Sequence, residues 1–307
     1  MIFVCALFSA LIMIPKSAYA WGGGVHLQIG LNILSNLQQL PPETAILLAA
    51  HPLDYLYGCI AADITLGKKF THYLLNCHRW SVGKKILLSA ETSGERACAL
   101  GYLSHLAADV VAHNYFVPYR IMLSFNMTAK KHTYWEMRFE TFVKQSTWDH
   151  ARAVCSADQR ANDVMLRNVI TPTIFSFGVN KKIFNSIMLL SRLEKWRALM
   201  RSLPETSYYA LSGTDKDEYM KMTEEAVIDF LQHPDESELL LAEPTGEHAL
   251  AMAETFRRNL RLLYKNGKIT KEDGLRQAET LKKKLLNAMC QPEELEELHS
   301  RRLEPRA

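Results

Sequence analysis

The chain has 307 residues, 48% of them hydrophobic and 22% charged, with a formal net charge of +3. That length holds one large domain or two ordinary ones, and that composition excludes a disordered polar chain. A charge so close to neutrality gives no argument for nucleic acid or a strongly anionic partner.

Residues 2–14 are an apolar run too short to span a membrane comfortably. Pro15-Lys16-Ser17 and the small-x-small triplet Ala18-Tyr19-Ala20 follow it. This predicts a signal peptide over 1–20, cut after Ala20, and a mature chain that starts at Trp21 and is exported to the periplasm or beyond. The n-region lacks Lys and Arg, so an uncleaved leader acting as an anchor is the alternative. Five cysteines would remain, Cys59, Cys77, Cys98, Cys155 and Cys290. None lies at Cys-x-x-Cys spacing, and they read as small buried residues whose pairing the sequence does not give.

After a flexible Trp21-Gly22-Gly23-Gly24 start, His26 precedes apolar residues at helical spacing, from Leu27 to Leu37. Pro41-Pro42 ends that helix and 43–50 starts another. A further apolar run closes on Asp63, followed by His72 and by His78 with Trp80. A helix over 82–90 comes next, then a long one over 95–116 that Pro118 closes. Within it His105, Asp109 and His113 recur every four residues, which puts three metal-ligand types on one side of the helix over roughly two turns. A second pair at this spacing is His132 and Glu136, with Glu140 one turn further on.

From residue 147 the character changes. Residues 151–169 read as one polar helix. Residues 170–200 read as a core helical hairpin or, in a sharper reading, as a membrane-facing surface led by Phe175, Phe177, Phe184 and Trp196. Three more helices are expected over 215–232, 246–265 and 271–289, with His233, His248 and His299 on the surface. There is no phosphate-binding glycine loop, since Gly22-Gly23-Gly24 follows no strand.

In chain order the candidate donors are the Trp21 amine, His26, Asp63, His72 or His78, His105, Asp109, His113, His132 and Glu136. A two- or three-metal site needs about nine such donors, and imidazole with carboxylate favours zinc. This ordered set resembles the zinc-dependent phospholipase C family, whose mature chains begin with a metal-binding Trp. In spacing it is most similar to the amino-terminal domain of glycosylphosphatidylinositol-specific phospholipase D, over roughly residues 21–145. The resemblance implies two or three zincs. His78, His105 and Asp109 would hold one, and the Trp21 terminus and His26 a second that shares Asp109. His113, His132 and Glu136 would hold the third, with Asp63 as general base.

The expected fold is all-α: a zinc-dependent phospholipase C/D-like catalytic domain over 21–200 with a helical C-terminal extension over 201–307. The expected activity is hydrolysis of a phospholipid or glycosylphosphatidylinositol-type substrate, with possible peripheral membrane contact. The ligand set leaves open which phosphodiester bond breaks. The rivals are a zinc-dependent single-strand nuclease and a non-catalytic zinc-stabilised binding protein.

Overall fold

The structure is a computed structural model that describes residues 22–65, 77–127, 132–170, 175–191, 211, 213–291 and 293. The expected leader, Trp21, His72, Trp196 and His299 lie outside the described residues, as does the side chain of His132. Among the described residues there is no strand, in keeping with the all-α expectation.

The organising element is α5 (Ser93–Val111), whose residues from Ala97 on are almost all buried. A helix that is apolar on every face has to be surrounded. Helices α3 (Pro52–Ala61), α4 (Trp80–Leu88) and α11 (Gly213–Gln232) cover it directly. Thr92 starts it with a full capping box, its hydroxyl accepting from Glu95 N while the Glu95 carboxylate accepts from Thr92 N.

Pro118 does not end this segment. The chain passes from α5 through a single π-helical turn, Ala112–Phe116, straight into α6 (Val117–Leu123), with Pro118 in the first turn of α6. Proline lacks an N–H, and its ring clashes with the carbonyl four residues back in a regular α-helix. The π turn spans Asn114, whose carbonyl is the one a regular α-helix would set against the Pro118 ring. Asn114 Nδ2 donates to Val110 O at 3.1 Å, the carbonyl a regular α-helix would assign to Asn114's own N–H.

The expected flexible glycine start is also corrected. Gly23 and Gly24 form the first turn of α1 (Gly23–Leu34). Gly24 is pressed so closely against Trp148 and Glu140 that a Cβ would lie 2.5 Å from the indole. Helix α2 (Pro42–Ala50) leads into α3. The single polar helix expected over 151–169 is two, α8 (Gln145–Ser156) and α9 (Arg160–Val169), parted at Ala157-Asp158-Gln159. Between α6 and α8 lies α7 (His132–Glu140), and α10 (Phe177–Ser191) follows α9.

The C-terminal helices α11, α12 (Glu247–Lys265) and α13 (Lys271–Ala288) share one continuous hydrophobic core with the rest, from Val25 to Ala288. Helices α12 and α13 pack on α6 and on the π turn. Arg120, 3% exposed, ties α6 to α11: Nη2 donates to Asp215 Oδ2 at 2.8 Å, and the guanidinium lies 5.7 Å from the Trp135 ring and 6.0 Å from that of Tyr219. His233 and His248 are exposed, as expected. Among the described residues no single helix is long and apolar enough to cross a membrane.

Candidate metal centre

Five buried side chains from separate parts of the chain meet at one point. His105 and Asp109 stand one turn apart on α5, and His26 comes from α1. Asp63 sits on the short 3-10 turn Ala62–Ile64 that ends α3, and His78 lies two residues before α4. Their donor atoms form two overlapping groups, His26–His105–Asp109 and Asp63–His78–His105, each with its atoms within 4.8 Å of one another.

Asp109 divides its two oxygens. Oδ1 lies 3.2 Å from His26 Nε2, while Oδ2 lies 3.3 Å from His105 Nε2 and 3.4 Å from His78 Nε2. Asp63 Oδ1 is 3.2 Å from His78 Nε2. The imidazoles of His26 and His105 stack, with centroids 3.7 Å apart.

Close helix packing sets this geometry. Gly58 on α3 and Gly101 on α5 face each other so tightly that a Cβ on Gly58 would stand 2.0 Å from Cys98 O, and one on Gly101 2.1 Å from Tyr55 O. That approach delivers Cys59 O, from the last turn of α3, to within 2.9 Å of His105 Nδ1. A carbonyl can only accept, so Nδ1 carries the proton and Nε2 faces the cluster. On His78 the ring nitrogen away from the cluster lies 3.3 Å from Cys77 Sγ. Orienting partners of this kind on the far nitrogen are the usual companions of metal-binding histidines.

The donors fit a metal ion. His26 Nε2 and both Asp109 oxygens are fully buried and close together, yet none has a hydrogen bond of acceptable angle. Leaving buried polar atoms in that state costs about 1–3 kcal/mol each, and a shared cation relieves all of them at once. Imidazole and carboxylate without thiolate suit zinc.

Titration behaviour points the same way. Burial, helped by His105, pushes the His26 imidazole down toward its neutral, ligating form. For His105 burial works downward, but Asp109 and Asp63 outweigh it and raise the group. Burial would lift the Asp109 carboxyl, but His105 and His26 hold it well below the usual carboxylate range. The two carboxylates thus favour positive charge at this point of the cluster. Burial raises the thiols of Cys59 to about 12 and of Cys155 and Cys290 to about 11, so they are not nucleophiles at neutral pH. None of the five described cysteines is in a disulfide.

His113 and Glu136 are also buried, at 0% and 3% exposure. Among the described residues neither joins a group of three close donors. The regular four-residue series predicted on α5 holds for His105 and Asp109, while His113 falls inside the π turn.

One residue beyond the expected donors shapes the site. Glu140 accepts from Gly24 N at 2.8 Å and Val25 N at 3.3 Å, capping the first turn of α1 two residues before His26. Burial, opposed by those two hydrogen bonds, raises its carboxyl to about 7. Its sequence signal was its place one turn beyond Glu136. A cavity of about 220 Å³ between α1, α7 and α11, lined by Val25, Gln28, Phe139 and Met220 among others, includes none of the five clustered donors.

Fold and donor set together define an all-helical metalloprotein domain. Residues 25–174, which carry every described donor, most of α1 and helices α2 to α9, match the zinc-dependent phospholipase C family. That segment is similar to the family, and its buried histidines and aspartates form groups able to hold a metal ion, which together support a zinc phospholipase-type function. No curated protein and no solved structure matches the chain.

Proposed function

We propose that this chain is an exported zinc-dependent phosphodiesterase that hydrolyses phospholipids, including glycosylphosphatidylinositol-type lipids, by attack of water on phosphorus. The observation that carries the reading is the meeting of His26, Asp63, His78, His105 and Asp109, with the two oxygens of Asp109 turned to different imidazoles.

Of two or three ions, one would be held by His78, His105 and Asp109. The Trp21 amine, His26 and the second oxygen of Asp109 would hold another, and His113, His132 and Glu136 the third. Zinc there supplies Lewis-acid chemistry, neutralising phosphate charge and making water acidic near neutral pH. Asp63, on its short turn beside His78, orients the attacking water and takes its proton on the carboxylate. The Cys59 carbonyl keeps His105 from turning, and α5 keeps Asp109 at a fixed distance from both halves of the cluster.

Contact with a lipid surface has support in α10. This helix packs on the turn that carries Asp63, and its Phe184, expected on the membrane-facing surface, is instead buried with Met188 near Gly23. Val179 and Leu189 on the helix and Phe175 just before it are 43%, 42% and 47% exposed. Apolar side chains beside a lipid-hydrolysing site can dip into the interface.

The test is to purify the exported form, sequence its amino terminus, count zinc per chain, and assay it on phosphatidylcholine vesicles, a glycosylphosphatidylinositol-anchored substrate and single-stranded DNA. A start at Trp21, two or three zincs and lipid turnover are expected. No bound zinc, or cleavage of DNA alone, overturns the reading. The Asp63→Asn variant is expected to keep its zinc and lose about 10²–10⁴-fold in turnover; full turnover removes Asp63 from the base role.

A further inference from the structure

The segment Ala242-Glu243-Pro244-Thr245-Gly246 lies far beyond the family match, yet it inserts against two donor-bearing parts of the site. Four of its five residues are buried. Trp80 Nε1, just after His78, donates to Ala242 O at 2.9 Å. Arg79 Nη2 is 3.7 Å from Glu243 Oε1. On the other side, Asn114 Nδ2 donates to Glu243 O at 2.9 Å, and His113 Nδ1 pairs with Pro244 O. Gly246 seals the contact. Its φ is +58°, and a Cβ there would lie 2.4 Å from His113 Cβ and 2.5 Å from His113 O. Glycine is required twice over, for the left-handed backbone and for the space.

The partner of His113 is a carbonyl, so Nδ1 must be the protonated nitrogen and Nε2 the one with the lone pair. This repeats what Cys59 O does for His105, except that the carbonyl comes from the C-terminal helices. We propose that residues 242–246 are a positioning loop through which the C-terminal extension fixes the His113 imidazole for metal binding, so that the matched segment alone lacks part of its centre. The proposal rests on the proposed function, in which His113 ligates zinc. The loop acts through His113 and touches no reacting atom.

Removing an orienting partner of a metal-bound histidine weakens metal affinity about 10–100-fold. The test uses the full chain and zinc alone as probe. In the Gly246→Val variant the added side chain pushes the loop off His113, and the weakest-bound zinc is expected to loosen by that factor with helical content unchanged. His113→Ala should loosen the same zinc. In zinc-free wild-type protein, nitrogen-15 NMR of the His113 ring should show the proton on Nδ1.

A proton on Nε2 overturns the proposal whether or not Gly246→Val folds. Full zinc affinity in Gly246→Val, with loss in His113→Ala, overturns the loop and leaves the ligand reading standing. Full affinity in His113→Ala removes His113 from the zinc set, and the proposal with it.

Discussion

The two ends of the ligand helix are supported in different ways. At His105 support comes from within the family segment: Gly58 and Gly101 let α3 and α5 touch backbone to backbone, and Cys59 O follows into place. At His113 it comes from outside that segment, through Pro244 O and the left-handed Gly246. Candidate donors can therefore be close in sequence while the groups that orient them are not. The first arrangement is a rigid crossing of two helices, and the second is a loop that depends on distant helices being docked.

The sharpest way to break this comparison is Gly58→Ala. One methyl forced against Cys98 O cannot be absorbed by a flexible side chain, because its neighbours are backbone. A loss of about 3 kcal/mol in unfolding free energy, the upper end of the overpacking range, is expected by chemical denaturation. A shift below about 1 kcal/mol would show that α3 and α5 can separate freely.

Next in size is Glu140→Gln. The Glu140 carboxyl is raised to about 7 by burial, against an ordinary value of 4.5. The folded chain therefore keeps a proton that the unfolded chain releases. That contribution is complete below pH 4.5 and disappears as pH rises through 7. The glutamine side chain mimics the protonated form. Between about pH 4.5 and 8 the zinc-free variant should lose less stability than the wild type, by at most about 3 kcal/mol and by less to the extent that partial exposure screens the charge. Parallel pH–stability curves for the two proteins would show that the Glu140 proton contributes nothing to folding.

The smallest effect is expected for Trp80→Phe, which deletes the hydrogen bond to Ala242 O but keeps a ring to stack on Phe230, now 5.1 Å away. It should cost about 1 kcal/mol, read from the denaturant midpoint, and should leave the His105 end unchanged. An equal weakening of zinc binding throughout the cluster would mean that the two ends are not independently held.

The sequence carried much of this because helical periodicity and ligand spacing are both short-range patterns. His105 and Asp109 could be paired from their four-residue separation alone, and His26, Asp63 and His78 could be named as donor types in order. The Thr92–Glu95 capping box is also a sequence pattern, yet the expected start at 95 lies two residues inside the observed start at Ser93. Pro118 was read as a stop because nothing in residue type announces a π turn. The groups that orient the histidines stayed hidden for a different reason. Cys59 O and Pro244 O are backbone atoms, which every residue has, so only the folded chain distinguishes them.

That π turn has one more consequence. A hydrogen bond closed over five residues encloses one residue more than an α-helical bond does, so between Asp109 and Arg120 the number of residues and the length of the rod are no longer in fixed proportion. Residue count along this rod is an unreliable ruler. Against a chain that lacks such a turn, a constant gap after Asp109 sets a different residue opposite His113.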